Sequence, residues 1–353
     1  MAFKAKKEGE NEQNMKKIMM VLILTFVTIL TACNQGSNET TQDKPKAKDE
    51  TLESIRVASW SKPISEQTNL LVEEEKGFFK EQGLKMTFIP GAGGGDAIKN
   101  ILSGQADIAF TDPGSLFFAL DQGEKLRVIY NIYPQNVFNI VSLKEKNITK
   151  PEDLKGKTIG VYSLSSGTRQ NLLVLLHEEG LTEEDVKIVE TGVLNFAPLM
   201  QGQVDATAAT DTGLFTGKQK GLGEVNVMEV KDYLNFPSDV FVVTEETYQK
   251  KKELLQSFLT GYRNSAEWMI NSPDEAASLA VTYAIDGKDQ SNNLEIIKIR
   301  NESSISTTTE ERGLGTFDIE MLQKAADTYK RLGLVENTLD MEDIVTEELL
   351  PNK

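Results

Sequence analysis

The sequence predicts an α/β protein built from two similar lobes, and three observations carry that prediction. Residues 104–116 read GQADIAFTDPGSL and residues 202–214 read GQVDATAATDTGL, so each half holds the same phrase. Residues 54–61, SIRVASWS, and 158–165, TIGVYSLS, share the pattern Ser/Thr-Ile-x-Val-x-Ser-x-Ser. Between these repeats, runs of period two alternate with runs of period 3.6, the mark of parallel strands joined by helices.

From the N-terminus, residues 18–32 (IMMVLILTFVTILTA) carry no charge and are shorter than the roughly 20 residues of a spanning helix. Lys16 and Lys17 precede them and small residues follow, the layout of a secretory leader over residues 1–32. The exit, Leu30-Thr31-Ala32-Cys33, resembles a bacterial lipobox, in which the cysteine is acylated and becomes the new N-terminus. An ordinary cleaved leader and an uncleaved anchor are the alternatives. Cys33 is the only cysteine in the chain, which favours lipidation. Residues 1–14 are charged with mixed sign, so translation is expected to begin at Met15. Residues 33–53 are polar apart from Leu52 and read as a lipidated cysteine and flexible tether.

Beyond the tether, about 300 residues suffice for two well-buried cores. Ile55 and Val57, then Ile159 and Val161, alternate as half-buried strands. The run Gly91-Ala92-Gly93-Gly94-Gly95-Asp96 opens a helix whose pairs Ala97/Ile101 and Ile98/Leu102 share a face. Leu172, Leu173, Leu175 and Leu176 do the same in the second half. Pro151-Glu152-Asp153-Leu154 and Ser272-Pro273-Asp274-Glu275 read as helix starts, with proline in the first turn and acids at the positive end of the dipole. The C-terminal third is helical. Leu255, Phe258, Leu259, Tyr262, Ala266, Met269 and Ile270 form one core stripe, and Ile319, Leu322, Ala326 and Tyr329 another.

The charge balance excludes some functions. With 54 acidic against 38 basic side chains, the net charge is −16, a surface that repels nucleic acid. One cysteine allows no internal disulfide and no cysteine metal cluster. His177 is the sole histidine and falls at the edge of an apolar helix face, where packing is its expected role. With no His/Asp pair near a serine and no metal-ligand cluster, no enzyme is expected and no cofactor is implied.

The run Glu75-Lys76-Gly77-Phe78-Phe79-Lys80-Glu81-Gln82-Gly83-Leu84 resembles a segment of extracytoplasmic solute-binding proteins of ABC importers. Gly-Gln-Ala-Asp-Ile-Ala-Phe, Asp153-Leu154-Lys155-Gly156-Lys157-Thr158-Ile159-Gly160 and Trp268 followed by Asn271-Ser272-Pro273-Asp274-Glu275-Ala276 resemble the same proteins. The resemblance spans about residues 54–335 and points to the branch that binds alkanesulfonates, taurine, nitrate or pyrimidine precursors of thiamine. It implies a type II periplasmic-binding-protein fold: lobe one at 54–136, lobe two at 137–239, and a return to lobe one at 240–353. The crossings are expected near 134–140 and 237–243, marked by Pro134 and Pro237. Two crossings form a hinge that closes on the ligand. The implied partners are a small solute, an ABC permease with its ATPase, and the membrane through the lipid anchor; a monomer is expected.

In open α/β sheets ligands bind beyond the carboxyl ends of strands. That rule selects Ser59, Trp60 and Ser61 after the first strand, with the Trp60 ring as a stacking surface. Gly93 and Gly94 would let backbone N–H groups approach a ligand, or form a turn before Asp96 as N-cap. Ser163, Ser165, Ser166 and Thr168 form a polar nest in the matching loop, and Arg169 beside them is expected to face water. Asp112 and Asp211 end the repeated strands. As caps they would be structural; as ligand groups they would accept from an amino nitrogen and disfavour a sulfonate or nitrate. That leaning favours an aminopyrimidine or similar heteroaromatic ring. Asn195, Tyr130, Tyr162, Ser238 and Asp239 are further candidates.

Overall fold

The computed structural model describes residues 52–192 and 195–351, all within one unit, Glu50–Lys353. The leader, Met15, Cys33 and all of the tether but Leu52 and Glu53 lie outside the described residues.

Ten strands form two sheets. They are β1 (Glu53–Ser59), β2 (Leu84–Ile89), β3 (Ile108–Thr111), β4 (Leu126–Tyr133), β5 (Phe138–Leu143), β6 (Thr158–Val161), β7 (Lys187–Glu190), β8 (Ala206–Thr210), β9 (Val225–Glu229) and β10 (Asp239–Thr244). The first sheet runs β2-β1-β3-β10-β4 and the second β7-β6-β8-β5-β9. The two orders superimpose: β1 corresponds to β6, β2 to β7, β3 to β8, β4 to β9 and β10 to β5. In each sheet the fourth strand is the antiparallel one, and each has just crossed from the other sheet. The duplicated phrases are thus the β3 and β8 strands of two equivalent lobes.

The chain passes between the sheets at 134–137 and again at 230–238, so Val240–Val243 already belongs to lobe one. The two passages are bonded to each other. Ser238 N donates to Tyr133 O at 2.8 Å, Val137 N donates to Ser238 Oγ at 2.9 Å, and Ser238 Oγ donates to Gln135 O.

The principal helices are α1 (Gly94–Leu102), α2 (Pro113–Asp121), α3 (Gly167–Glu178), α4 (Asp211–Gln219), α5 (Lys252–Asn271), α6 (Pro273–Tyr283), α7 (Gln290–Ser303) and α8 (Ile319–Arg331). Proline at the first position starts α2 and α6, where its missing N–H has no intrahelical partner to lose. Pro151–Leu154 forms only a single 3-10 turn. The stripe of α5 buries Leu255, Phe258, Leu259 and Tyr262 against Phe79, Phe110 and Phe241, each buried side chain contributing about 1.5–3 kcal/mol. The stripe of α8 packs with α2 and β10 on the opposite face of the same sheet. Lobe two has its own cores around Leu172, Leu176 and Phe196. No helix among the described residues is long and apolar enough to cross a membrane.

Candidate functional site

A cleft opens between the lobes where the strands of both sheets end. Its inner chamber holds about 40 Å³ and is lined by Trp60, Gly94, Asp112, Phe138, Asp239 and Arg300 among others. An outer chamber of about 430 Å³ is lined by Ser61, Asn195, Phe196, Met200 and Ile285 among others. Trp60, Glu66, Tyr162, Thr168 and Thr210 line both. The outer volume lies within the roughly 300–1,000 Å³ of small-molecule sites.

The cleft is closed. Gly95 N of lobe one donates to Ser165 O of lobe two at 2.9 Å, and Ser163 Oγ donates to Ala92 O. Gly93 permits this approach: its φ is +146°, and a Cβ there would lie 2.6 Å from Ser165 O. On the other side, Arg300 of α7 reaches across to Asp211 Oδ1 at 2.7 Å and Thr212 Oγ1 at 2.9 Å. It also holds Glu66 Oε2 at 3.0 Å, and Thr212 Oγ1 donates to the same Glu66 oxygen at 2.8 Å. Burial pulls the Arg300 guanidinium down, but Asp211 and Glu66 outweigh it and hold the group above its ordinary range. Tyr133 lies under the guanidinium, 4.9 Å from it.

Inside the chamber, Asp112 caps α2, accepting from Ser115 N at 2.8 Å and Ser115 Oγ at 2.7 Å. Burial raises its carboxyl to about 6, against the pull of the Ser115 bonds. Burial, then the neighbouring Asp112, pushes Asp239 well above the ordinary range. Trp60 meets Phe110 and Tyr162 edge-on, with centroids 6.4 and 6.1 Å apart. Its Nε1 is buried without a hydrogen-bond partner.

The sequence candidates divide accordingly. Trp60, Gly93, Gly94, Asp112, Ser166 and Thr168 line the inner chamber, and Ser61 and Asn195 the outer one. Four others line neither chamber and bond to other groups of the protein. Ser59 lines neither chamber and donates to Gln67 Oε1 at 3.0 Å. Ser163 and Ser165 join lobe to lobe. Asp211 is paired to Arg300, and the cap of α4 falls to Thr210, whose Oγ1 accepts from Gly213 N at 3.2 Å. Asp96 likewise lies in the first turn of α1, with Gly93 as N-cap. Among the secondary candidates, Tyr162 and Asp239 line the cleft, whereas Tyr130 is buried in the core of lobe one against Tyr262. Arg169 pairs with Glu183. His177 lies outside both chambers, with Nδ1 2.9 Å from Leu332 O.

Sequence reasoning passed over Arg300 and Glu66. A signal for Arg300 exists: it continues the buried face Asn293, Ile296, Ile297 of α7, a charge on an apolar stripe that requires a partner. Glu66 carries no comparable mark.

A family profile described as NMT1/THI5 like matches residues 64–276. The chain belongs to the NMT1/THI5-like family. The NMT1/THI5-like stretch includes Glu66, Asp112, Asp211 and Asp239, while Trp60 and Arg300 lie outside it. Across 351 residues the chain is 24% identical to the riboflavin-binding protein RibY of Chloroflexus aurantiacus, covering 96% of this chain and 99% of that one. It is 24% identical over 293 residues to the formylaminopyrimidine-binding protein of Halalkalibacterium halodurans, covering 82% and 84%. The solved alkanesulfonate-binding protein SsuA from Xanthomonas axonopodis pv. citri, bound to MOPS, superimposes with a TM-score of 0.64 at 15% identity, covering 83% of this chain and 98% of that one. At that identity the likeness shows the fold, which is the two-lobed periplasmic-binding-protein architecture.

Proposed function

We propose that this chain is the solute-binding component of an ABC importer. It would be held at the outer face of the cytoplasmic membrane through an acylated Cys33, closing as a monomer on one small solute for delivery to a permease. The observation that carries this reading is the interlobe cleft, where the flat ring of Trp60 presents a buried donor with no protein partner. Buried donors find partners in folded proteins, and a bound solute supplies one here.

The solute is a small heteroaromatic such as a thiamine pyrimidine precursor. Among the described residues lining the inner chamber, Arg300 is the only cation, and Glu66 and Asp211 already hold it. A sulfonate or nitrate would find no uncommitted positive charge there. Binding without turnover is the expected chemistry, since the single histidine lies away from the cleft.

A thermal-shift screen of residues 34–353 against pyrimidine precursors, flavins, taurine, alkanesulfonates and nitrate tests the reading, because a ligand of the folded state raises Tm by mass action. A rise with a pyrimidine is expected. A rise confined to sulfonates would reassign the ligand, and turnover of any of these compounds by the purified protein would replace the receptor with an enzyme. Cys33→Ser should release the full-length protein from membranes; retention would leave the uncleaved anchor in its place.

A further inference from the structure

Asp239 is the one carboxyl lining the inner chamber that no other group holds. Asp112 is tied to Ser115, and Glu66 to Arg300 and Thr212. Asp239 is only 6% exposed and lines the chamber. Among the described residues no backbone or side-chain group donates to it, and Arg300 directs its bonds to Glu66 and Asp211 instead. With no protein donor and 6% of its surface left accessible, the carboxyl is open to a group that enters the chamber.

Its position is fixed. Asp239 is the first residue of β10, in register with Tyr133, and directly follows Ser238, which binds the two crossings together. The backbone that carries the carboxyl therefore sits on the hinge itself. Around it the chamber is narrow and aromatic: Trp60, Phe138 and Tyr162 contribute flat surfaces. A planar ring resting in the outer chamber against the shared walls of Trp60 and Tyr162 would turn one edge into the small inner chamber, and a carboxyl binds best to a planar edge that offers two groups side by side.

We infer that Asp239 is the specificity-determining residue of the cleft, and that it recognises a cyclic amidine edge, a ring nitrogen flanked by an exocyclic amino group, through two parallel hydrogen bonds. One carboxyl oxygen accepts from the amino group. The other shares a single proton with the ring nitrogen. The pairing forms whichever partner carries that proton, so a carboxyl in a buried, acid-rich chamber suits it. This inference rests on the reading of the cleft as a solute site and narrows the ligand to aminated nitrogen heterocycles.

Two probes separate the edge from the ring: 4-amino-2-methylpyrimidine, which has the amidine edge, and 2,4-dimethylpyrimidine, in which a methyl group replaces the amino group. Calorimetry on residues 34–353 should show the amino compound binding about tenfold or more tightly, the scale of a hydrogen bond to an ionisable group. In Asp239→Leu, similar in shape and apolar, the ratio should fall to near one, with the dimethyl compound little affected. Asp239→Asn keeps one acceptor and one donor side by side, so part of the preference should survive. Equal binding of the two probes by the wild-type protein would overturn the inference without recourse to any variant. So would an unchanged ratio in Asp239→Leu, which would mean that water satisfies the carboxyl. If neither these probes nor any other small solute binds, it is the solute-receptor reading that fails; if both bind without discrimination, only the role of Asp239 does.

Discussion

Arg300 of lobe one and Asp211 of lobe two form an ion pair 2.7 Å long that joins the two lobes beside the inner chamber. The two ends are unlike. The Arg300 side chain is 1% exposed and that of Asp211 33%. Removing Asp211 therefore leaves a cation that Glu66 still holds, whereas removing Arg300 leaves the Glu66 carboxylate buried without its charge partner. Asp211→Asn should cost about 1 kcal/mol of stability, because Asp211 is itself partly exposed and Glu66 still compensates Arg300. Arg300→Met should cost about 3–5 kcal/mol, the price of an uncompensated buried charge. Both should open the lobes. Small-angle scattering of the ligand-free proteins should show a larger radius of gyration for Asp211→Asn than for the wild type. Identical radii would mean that the pair records closure without maintaining it.

The ring of Trp60 and its N–H are separable. Trp60→Ala removes a surface shared by both chambers and should weaken solute binding at least tenfold, on the scale of about 1.4 kcal/mol, with the protein still folded. Trp60→Phe keeps most of the surface and deletes only the Nε1 donor, which has no partner within the protein. Its Tm without ligand should match or exceed the wild-type value. A drop in affinity for Trp60→Phe, read by calorimetry, would report a bond from the indole to the solute. Full affinity in Trp60→Ala would remove this residue from the site.

The lobes were legible because each rests on local signals repeated twice. Strand alternation in Ile55/Val57 and Ile159/Val161, and the Gly-Gln-x-Asp phrase, put β1, β3, β6 and β8 in equivalent places. The cleft was legible where strand ends and a helix start form it, as at Trp60 and Asp112 and at Thr168 in the first turn of α3. A serine beside a cleft can also bind the opposite lobe: the Ser163 hydroxyl donates to Ala92 O, and the backbone carbonyl of Ser165 accepts from Gly95 N. Glu66 and Arg300 were not legible as a pair. They are separated by 234 residues, and no local pattern encodes a contact of that range. The repeat also concealed a difference: Asp112 caps its helix, while the equivalent Asp211 yields the cap to Thr210 and turns to Arg300.

Gly94 is the tightest glycine of the inner chamber. A Cβ there would lie 2.2 Å from Asp112 Oδ2 and 2.6 Å from Thr111 Oγ1. The Asp112 carboxylate cannot simply rotate away, because Ser115 holds both of its oxygens. Gly94→Ala should therefore destabilise the protein by about 1–3 kcal/mol, the usual cost of overpacking, and distort the cap of α2. Gly223→Ala is the matched control, since nothing lies within 4 Å of a Cβ at that position. Thermal melts of the two variants should differ by several degrees. Equal melting points would mean that α1 shifts freely away from Asp112 and that the chamber is looser than its geometry indicates.

The buried Asp112 also imposes a pH dependence of unusual sign. Burial raises its carboxyl from the ordinary 3.8 to about 6. Well below pH 3.8 the group is protonated in folded and unfolded chains alike. Between about 4 and 6 the folded chain keeps a proton that the unfolded chain has lost. The stability contributed by this preference is thus fully present below the ordinary 3.8 and is lost as the pH rises through 6, an amount of roughly 3 kcal/mol at most. Other carboxylates act oppositely: burial pushes Asp107 up, but bonds from Arg56 and Lys251 outweigh it and hold the group low. Total stability against pH therefore mixes both signs, and the difference between wild type and Asp112→Asn isolates the one of interest. Asparagine retains an acceptor for the Ser115 N–H and does not titrate. The stability of the wild type relative to Asp112→Asn should be greatest near pH 4 and decline towards pH 7 in denaturant titrations. A difference that stays level, or grows with pH, would mean that Asp112 is solvated through the cleft and that the inner chamber is open to water.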